Sequence, residues 1–266
     1  MPPWVLMWLL AFWIFGVCKW STYREARREG FRASRVRAIG YLIAWPGMDA
    51  RTFLNAEKKP PKPVLSEWLM AFLKTALGGT LFWGIARLIP AQHLLLRGWV
   101  GMIGIIFLLH FGSFHIMALL WQRKGVAAFP IMRAPVRAVS LGDFWGNRWN
   151  LGFRQLTYQW VFQPSRGRVG PAWATLFAFL VSGVVHEAVI SLPAGAGYGL
   201  PTGYFLVQGM GVVVERSVLG ERLGLGRGKA GWFFTFLFTV GPAFWLFHPP
   251  FVERVIVPFM RAAAAL

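Results

Sequence analysis

The sequence predicts an all-α protein: a polytopic bundle of about 6–8 transmembrane helices with an amphipathic helix lying in the interface on the cytoplasmic side. Three observations carry that prediction. The chain is 56% hydrophobic and only 14% charged, where a soluble domain averages about 25% charged. Apolar stretches of spanning length recur along it. The basic residues behind its net charge of +18 lie almost wholly between those stretches.

The elements follow in order. Pro3 to Cys18 is the first predicted span; no Lys or Arg precedes it and no small-x-small cleavage site follows before Lys19, so it is expected to be a retained anchor and not a signal peptide. The arginine-rich run that begins at Lys19 places that end in the cytoplasm and the amino terminus outside. Ala38 to Met48 is too short to cross and is expected to be re-entrant or interfacial. Leu65 to Pro90 runs outward and Trp99 to Trp121 returns. The stretch from Gln122 to Gly170, with Arg123, Lys124, Arg133, Arg137, Arg148, Arg154, Arg166 and Arg168, is cytoplasmic again. Pro171 to Leu192 and Pro201 to Val214 form the next pair, and Gly231 to Phe247 follows. Phe251 to Leu266, interrupted by Glu253, Arg254 and Arg261, is either a seventh span or a surface helix. No repeat or linker divides the chain, so residues 1–266 are expected to be a single transmembrane domain.

Several chemistries are excluded. The positive charge is explained by topology, so no nucleic-acid partner is expected. The single cysteine, Cys18, allows no internal disulfide and reads as packing. The serine-hydrolase G-x-S-x-G, the P-loop and the H-E-x-x-H patterns are absent from the sequence. His110 and His115 are five apart, off the spacing that puts two ligands on one helical face, and no metal is expected.

Three stretches carry polar chemistry. Ser140 followed by Asp143 resembles a capping box and predicts a helix start. From there Trp145, Trp149, Phe153, Leu156 and Trp160 fall on one helical face, with Asn147, Arg148, Arg154 and Gln155 opposite, which is the pattern of an in-plane interfacial helix. Asn150 sits at the boundary of the two faces, where its amide could turn inward. The pattern alone is also that of a plain anchoring helix.

The second stretch puts His186 and Glu187 inside an apolar span, where a charged group costs about 2.5–3.5 kcal/mol on insertion scales and side chains turn to the protein interior. Ser182 and Gly183, one turn earlier, make that face small, with room for a chain or a partner helix. His186 is either a neutral histidine hydrogen-bonded between helices or a general base, and both require the same protonation state. Third, Gln208, Gly211 and Glu215 share one face of the following span, through helix packing or through lining a cavity.

Taken together, Asp143-Phe-Trp-Gly-Asn-Arg-Trp-Asn150 and Val181-Ser-Gly-Val-Val-His-Glu187 resemble the membrane-bound O-acyltransferase superfamily, and within it the wax synthase-like branch of long-chain-alcohol acyltransferases. The likeness covers residues 133–216; elsewhere it is hydropathic only. It implies that His186 is the catalytic base and that Asn150 stands near the reaction centre. Trp145, Trp149, Ser182, Glu187 and Gln208 are the expected substrate-binding residues. No cofactor is implied, because acyl-CoA enters as co-substrate and a lipid alcohol as acceptor: fatty alcohol, sterol or diacylglycerol each offers a hydroxyl. The other partners are membrane lipids. The implied location is the plasma membrane if the protein is bacterial and the endoplasmic reticulum if it is eukaryotic. Two other classes stay open at this level: a small transporter or channel whose His186, Glu187, Gln208 and Glu215 line a solute path, and a non-catalytic membrane scaffold.

Overall fold

Helix is the only regular structure in the computed structural model, which describes residues 1–266. In chain order the main helices are α1 (Pro3–Arg28), α2 (Arg35–Ile43), α3 (Ala50–Leu54), α4 (Leu65–Leu88), α5 (Leu94–Arg123), α6 (residues 141–148), α7 (Leu151–Ala194), α8 (Leu200–Glu215), α9 (Val218–Arg222), α10 (Gly228–Leu246) and α11 (Pro249–Ala262). A backbone in lipid must satisfy its own N–H and C=O groups, and helices do so within one segment. Helices α1, α4, α5 and α7 are long and apolar enough to cross a membrane, and α10 with α11, bent by 60° at their junction, add a fifth crossing if they are one broken span. The predicted span Pro201 to Val214 lies in α8, whose 16 residues rise about 24 Å at 1.5 Å each, short of a hydrocarbon core of about 30 Å.

The chain gathers into two compact units. One comprises residues 11–132 with 256–266. Its α4 and α5 meet at glycines: a Cβ on Gly104 would come within 2.9 Å of the Phe82 amide nitrogen and 3.0 Å of the Gly78 carbonyl oxygen. Backbones can approach that closely only where side chains are missing. Both helices pass through a π-helical segment beside this crossing, Thr80–Ile85 and Phe107–Ser113, a bulge that re-aims the following turns.

In the same unit Ala38 to Met48 ends α2 and becomes an irregular turn whose Tyr41, Trp45 and Met48 are buried in protein. Gly40 leaves room for the Trp121 indole, whose Nε1 donates to the Ala44 carbonyl at 2.9 Å. Lys19, the first residue of the basic run, is buried. Its Nζ donates to the Gly47 carbonyl and stands 3.5 Å from the Tyr41 ring centroid, so a carbonyl and a π-face replace the water it lost. At the carboxyl end, Ile256, Val257 and Met260 are buried against protein, and Met260 fills the space over Gly101.

The other unit comprises residues 1–10 with 133–255 and holds the whole motif region. Here α7 is broken at Gly170 (φ 80°, ψ 167°). Glycine tolerates that φ, and Pro171 then occupies the first turn of the new helix, where its missing N–H costs nothing. The predicted boundary at Pro171 is therefore real. The continuous helix predicted across Trp145 to Trp160 is not: Trp149 leaves the helix and Asn150 adopts the left-handed region (φ 44°, ψ 57°) before α7 begins at Leu151. The aromatic stripe is thus split between α6 and α7. Asparagine is among the few side chains that accept this conformation at low cost, a backbone property that side-chain periodicity does not register.

Candidate functional site

Four helices of the second unit build the site. Ser140 caps α6, as its spacing from Asp143 predicts, accepting from the Asp143 N–H at 2.8 Å. Asp143 then pairs with Arg148 at the far end of α6, and the Arg148 carbonyl accepts from the Arg133 N–H at 2.8 Å. These bonds hold the short α6 and present Asn150 at its exit.

Two glutamates fix the neighbouring helices. Glu215, buried at the end of α8, accepts from the Leu141 and Gly142 N–H groups at 2.5 and 3.2 Å, so it caps α6. Glu187, on α7, accepts through Oε1 from the Gly199 N–H (3.0 Å), the Thr202 N–H (3.0 Å) and the Thr202 hydroxyl (2.9 Å), so it caps α8. A carboxylate on unpaired N–H groups at a helix start also meets the positive end of the helix dipole.

Between these caps lies an aromatic wall. Trp149 stacks on Phe144 at 5.5 Å, Phe144 meets Trp145 edge-on at 5.0 Å, and Trp145 packs against Phe179 and Phe205, each at 5.7 Å. Phe205 in turn lies 4.3 Å from the His186 imidazole, centroid to centroid. Gln208 is fully buried beneath this wall; its Oε1 accepts from Trp145 Nε1 at 3.2 Å and its Nε2 donates to the Phe238 carbonyl at 2.5 Å. The small face of α7 is occupied by α8: a Cβ on Gly183 would come within 2.7 Å of the Thr202 Cα.

The structure therefore joins His186, Trp145, Gln208 and, through Phe144, Trp149 into one cluster. Ser182 joins it through its carbonyl, which lies 2.7 Å from His186 Nδ1, while its hydroxyl donates back to Ala178 at 3.0 Å. A carbonyl only accepts, so Nδ1 carries the proton and Nε2 keeps its lone pair. Nε2 has no hydrogen-bond partner in the protein, and the side chain is only partly buried. Glu187 Oε1 is taken up by α8 while its Oε2 is buried without a hydrogen-bond partner, and both ends of the Gln208 amide are taken.

The sequence reading missed Phe179 and Phe205, which no motif distinguishes from other aromatics of a span. It also missed His248, which is fully buried. His248 accepts from the Phe251 N–H at Nδ1 (3.2 Å) and faces Ser191 Oγ with Nε2 (3.3 Å). Its tautomer is the opposite of that of His186: Nδ1 accepts, so Nε2 bears the proton and donates to Ser191, whose hydroxyl donates on to the Gly197 carbonyl at 3.3 Å. That polarity cannot deprotonate a serine.

Residues 128–207 match the sequence profile of the Membrane bound O-acyl transferase family. A long-chain-alcohol O-fatty-acyltransferase of Simmondsia chinensis is 33% identical over 143 residues, covering 49% of this chain and 40% of that protein. A probable long-chain-alcohol O-fatty-acyltransferase 7 of Arabidopsis thaliana is 33% identical over 141 residues (47% and 40%). An acyl-CoA–sterol O-acyltransferase 1 of the same plant is 33% identical over 141 residues (48% and 40%). The chain thus spans 40% of the length of these relatives. With its apolar helices it is an integral membrane protein, and its residues 128–207, which hold both Asn150 and His186, are similar to the membrane-bound O-acyltransferases, long-chain-alcohol O-fatty-acyltransferases among them.

Proposed function

We propose that the protein transfers a long-chain acyl group from acyl-CoA to the hydroxyl of a lipid alcohol, with His186 as general base. The observation that carries this reading is the tautomer of His186: the Ser182 carbonyl holds the proton on Nδ1 and leaves Nε2 as an unpaired acceptor beside an aromatic wall.

The acceptor's O–H proton passes to Nε2 as its oxygen bonds to the thioester carbon. The resulting oxyanion collapses, the C–S bond breaks, and the CoA thiolate takes the proton back from the imidazolium. Ester and CoA leave, and the histidine returns to its starting state. Base assistance of this kind is worth about 10²- to 10⁴-fold. Asn150 donates an amide N–H to the oxyanion, a contribution of about 10²- to 10³-fold where such donors have been removed elsewhere. Trp145 and Trp149 line the acyl chain.

No covalent acyl-serine intervenes. The Ser182 hydroxyl points back along its helix, and Ser191 faces a protonated nitrogen. A solute path is disfavoured because Gln208 and Glu215, two of the four groups that would line it, are engaged with a helix start, an indole and backbone.

The membrane arrangement we infer has about 6–8 crossings, with the short α8 among them, α6 on the cytoplasmic side where acyl-CoA arrives, and the amino terminus outside. The host membrane is the plasma membrane in a bacterium or the endoplasmic reticulum in a eukaryote.

The test is ester formation by purified membranes given labelled long-chain acyl-CoA and a panel of fatty alcohols, sterols and diacylglycerol. Wild type should form ester with at least one acceptor, and a folded His186→Ala variant should not. Retained turnover in that variant overturns the base assignment, and acyl-independent solute flux in liposomes would favour transport.

A further inference from the structure

One face of α1 changes character along its length. Trp13, Val17 and Trp20 follow one another at helical spacing and are all exposed, at 68%, 47% and 52%. Arg24, Arg27 and Arg28 continue the same face at the helix end, also exposed. Trp20, Tyr23 and the three arginines line a shallow, open groove of about 470 Å³.

The groove has a fixed floor. Trp20 packs on Tyr23 (5.8 Å), Tyr23 stacks on Tyr41 (6.5 Å), and Tyr41 is buried against Phe53 (5.5 Å). Its charge is unbalanced. The acids interleaved with the arginines, Glu25 and Glu29, both turn to Arg51, and no hydrogen bond or ion pair within the protein engages Arg24, Arg27 or Arg28. The favourable placing of Arg27 and Arg28 at a helix carboxyl end explains neither Arg24 nor the withdrawal of both acids.

We propose that this groove seats an anionic phospholipid of the leaflet at that end of α1. The headgroup phosphate lies among Arg24, Arg27 and Arg28, the glycerol region over Trp20 and Tyr23, and an acyl chain along Val17 and Trp13. The dimensions match: Arg24 to Arg28 stand about 6–12 Å beyond Trp20 at 1.5 Å per residue, and a headgroup layer is about 5–8 Å deep on each side, within reach of long side chains that extend toward phosphate. The continuous apolar track below the arginines favours a lipid over a free phosphate compound, which would leave Val17 and Trp13 unused. Near an anionic surface each arginine contributes about fivefold in affinity, so the three together amount to on the order of 10²-fold.

The experiment uses the full chain purified in a neutral detergent and titrated with phosphatidylglycerol, bound lipid being counted by native mass spectrometry. The Arg24→Gln/Arg27→Gln/Arg28→Gln variant should bind on the order of 10²-fold more weakly. A control that removes the same charge elsewhere, Arg222→Gln/Arg227→Gln/Lys229→Gln, should bind as wild type does, and the Arg24→Lys/Arg27→Lys/Arg28→Lys variant should retain most of the binding. Equal losses in groove and control variants, undiminished binding by the groove variant, or displacement of the lipid by free CoA would each overturn the proposal. No acyl donor or turnover enters the measurement, so the result stands apart from the acyltransferase reading.

Discussion

His186 Nδ1 lies 2.7 Å from the carbonyl oxygen of Ser182, one helical turn earlier on α7. The bond uses the backbone of Ser182 and not its side chain, whose hydroxyl donates to Ala178. The tautomer of the histidine is therefore set by helix geometry, and any residue that keeps the helix at position 182 keeps it. Ser182→Ala should retain acyl transfer, because one partly buried hydroxyl-to-carbonyl bond contributes only about 0.5–1.5 kcal/mol to stability. Loss of activity in a folded Ser182→Ala enzyme would mean that the hydroxyl itself meets substrate or acyl group.

His248 provides the internal contrast. It is fully buried, accepts from the Phe251 N–H that opens α11, and donates to Ser191. Asparagine is a strong helix cap, so His248→Asn should keep the α11 start and cost little, whereas His248→Ala should lower stability by about 1–2 kcal/mol, the usual loss of a cap. Thermal unfolding would show the ranking. Activity per folded molecule should stay at the wild-type level in both; a turnover defect in stable His248→Asn would bring this histidine into the chemistry.

Much of this was legible in the sequence and the exceptions have physical causes. Apolar length located α1, α4, α5 and the second half of α7, because hydropathy reports directly what a bilayer demands. The Ser140 cap and the Pro171 start were legible because capping chemistry and proline are local. The break at Asn150 was not, since a positive φ at a non-glycine residue leaves no trace in side-chain periodicity. Nor could spacing along one helix show that Glu187 and Glu215 reach the starts of other helices. Lys19 is the plainest case: the basic run located a membrane side, and nothing in it could show that tertiary contacts with Gly47 and Tyr41 take its first member inside.

The α4–α5 crossing depends on the absence of a single carbon. A Cβ on Gly78 would run into the backbone of Leu108 and come within 2.8 Å of the Gly104 carbonyl oxygen. Backbone cannot rotate away as a flexible side chain can, so Gly78→Ala should force the helices apart and cost about 1–3 kcal/mol, while Gly79→Ala, whose Cβ would meet only ordinary contacts at 3.9 Å, should be nearly silent. The difference in midpoint of thermal unfolding between the two variants measures it; equal midpoints would remove the tight crossing as the cause of the small-residue pattern.

The adjacency of His186 and Glu187 invites a catalytic pairing, and the geometry argues for an architectural one. Glu187 Oε1 takes two N–H groups and a hydroxyl at the start of α8, the helix that carries Phe205 to the imidazole and Gln208 to Trp145. Glu187→Gln preserves an acceptor oxygen at the same reach and gives up only the charge, so activity should survive with a modest fall in stability. Glu187→Ala leaves the Gly199 and Thr202 N–H groups unsatisfied, at about 1–3 kcal/mol, and lets α8 shift against α7. It should lower both the unfolding midpoint and turnover, because the wall beside His186 is displaced. Comparing kcat and unfolding midpoint across the two variants separates the roles. If Glu187→Gln is as stable as wild type yet inactive, the carboxylate charge acts on the reaction itself; if activity follows stability through both variants, Glu187 serves His186 by holding the next helix in place.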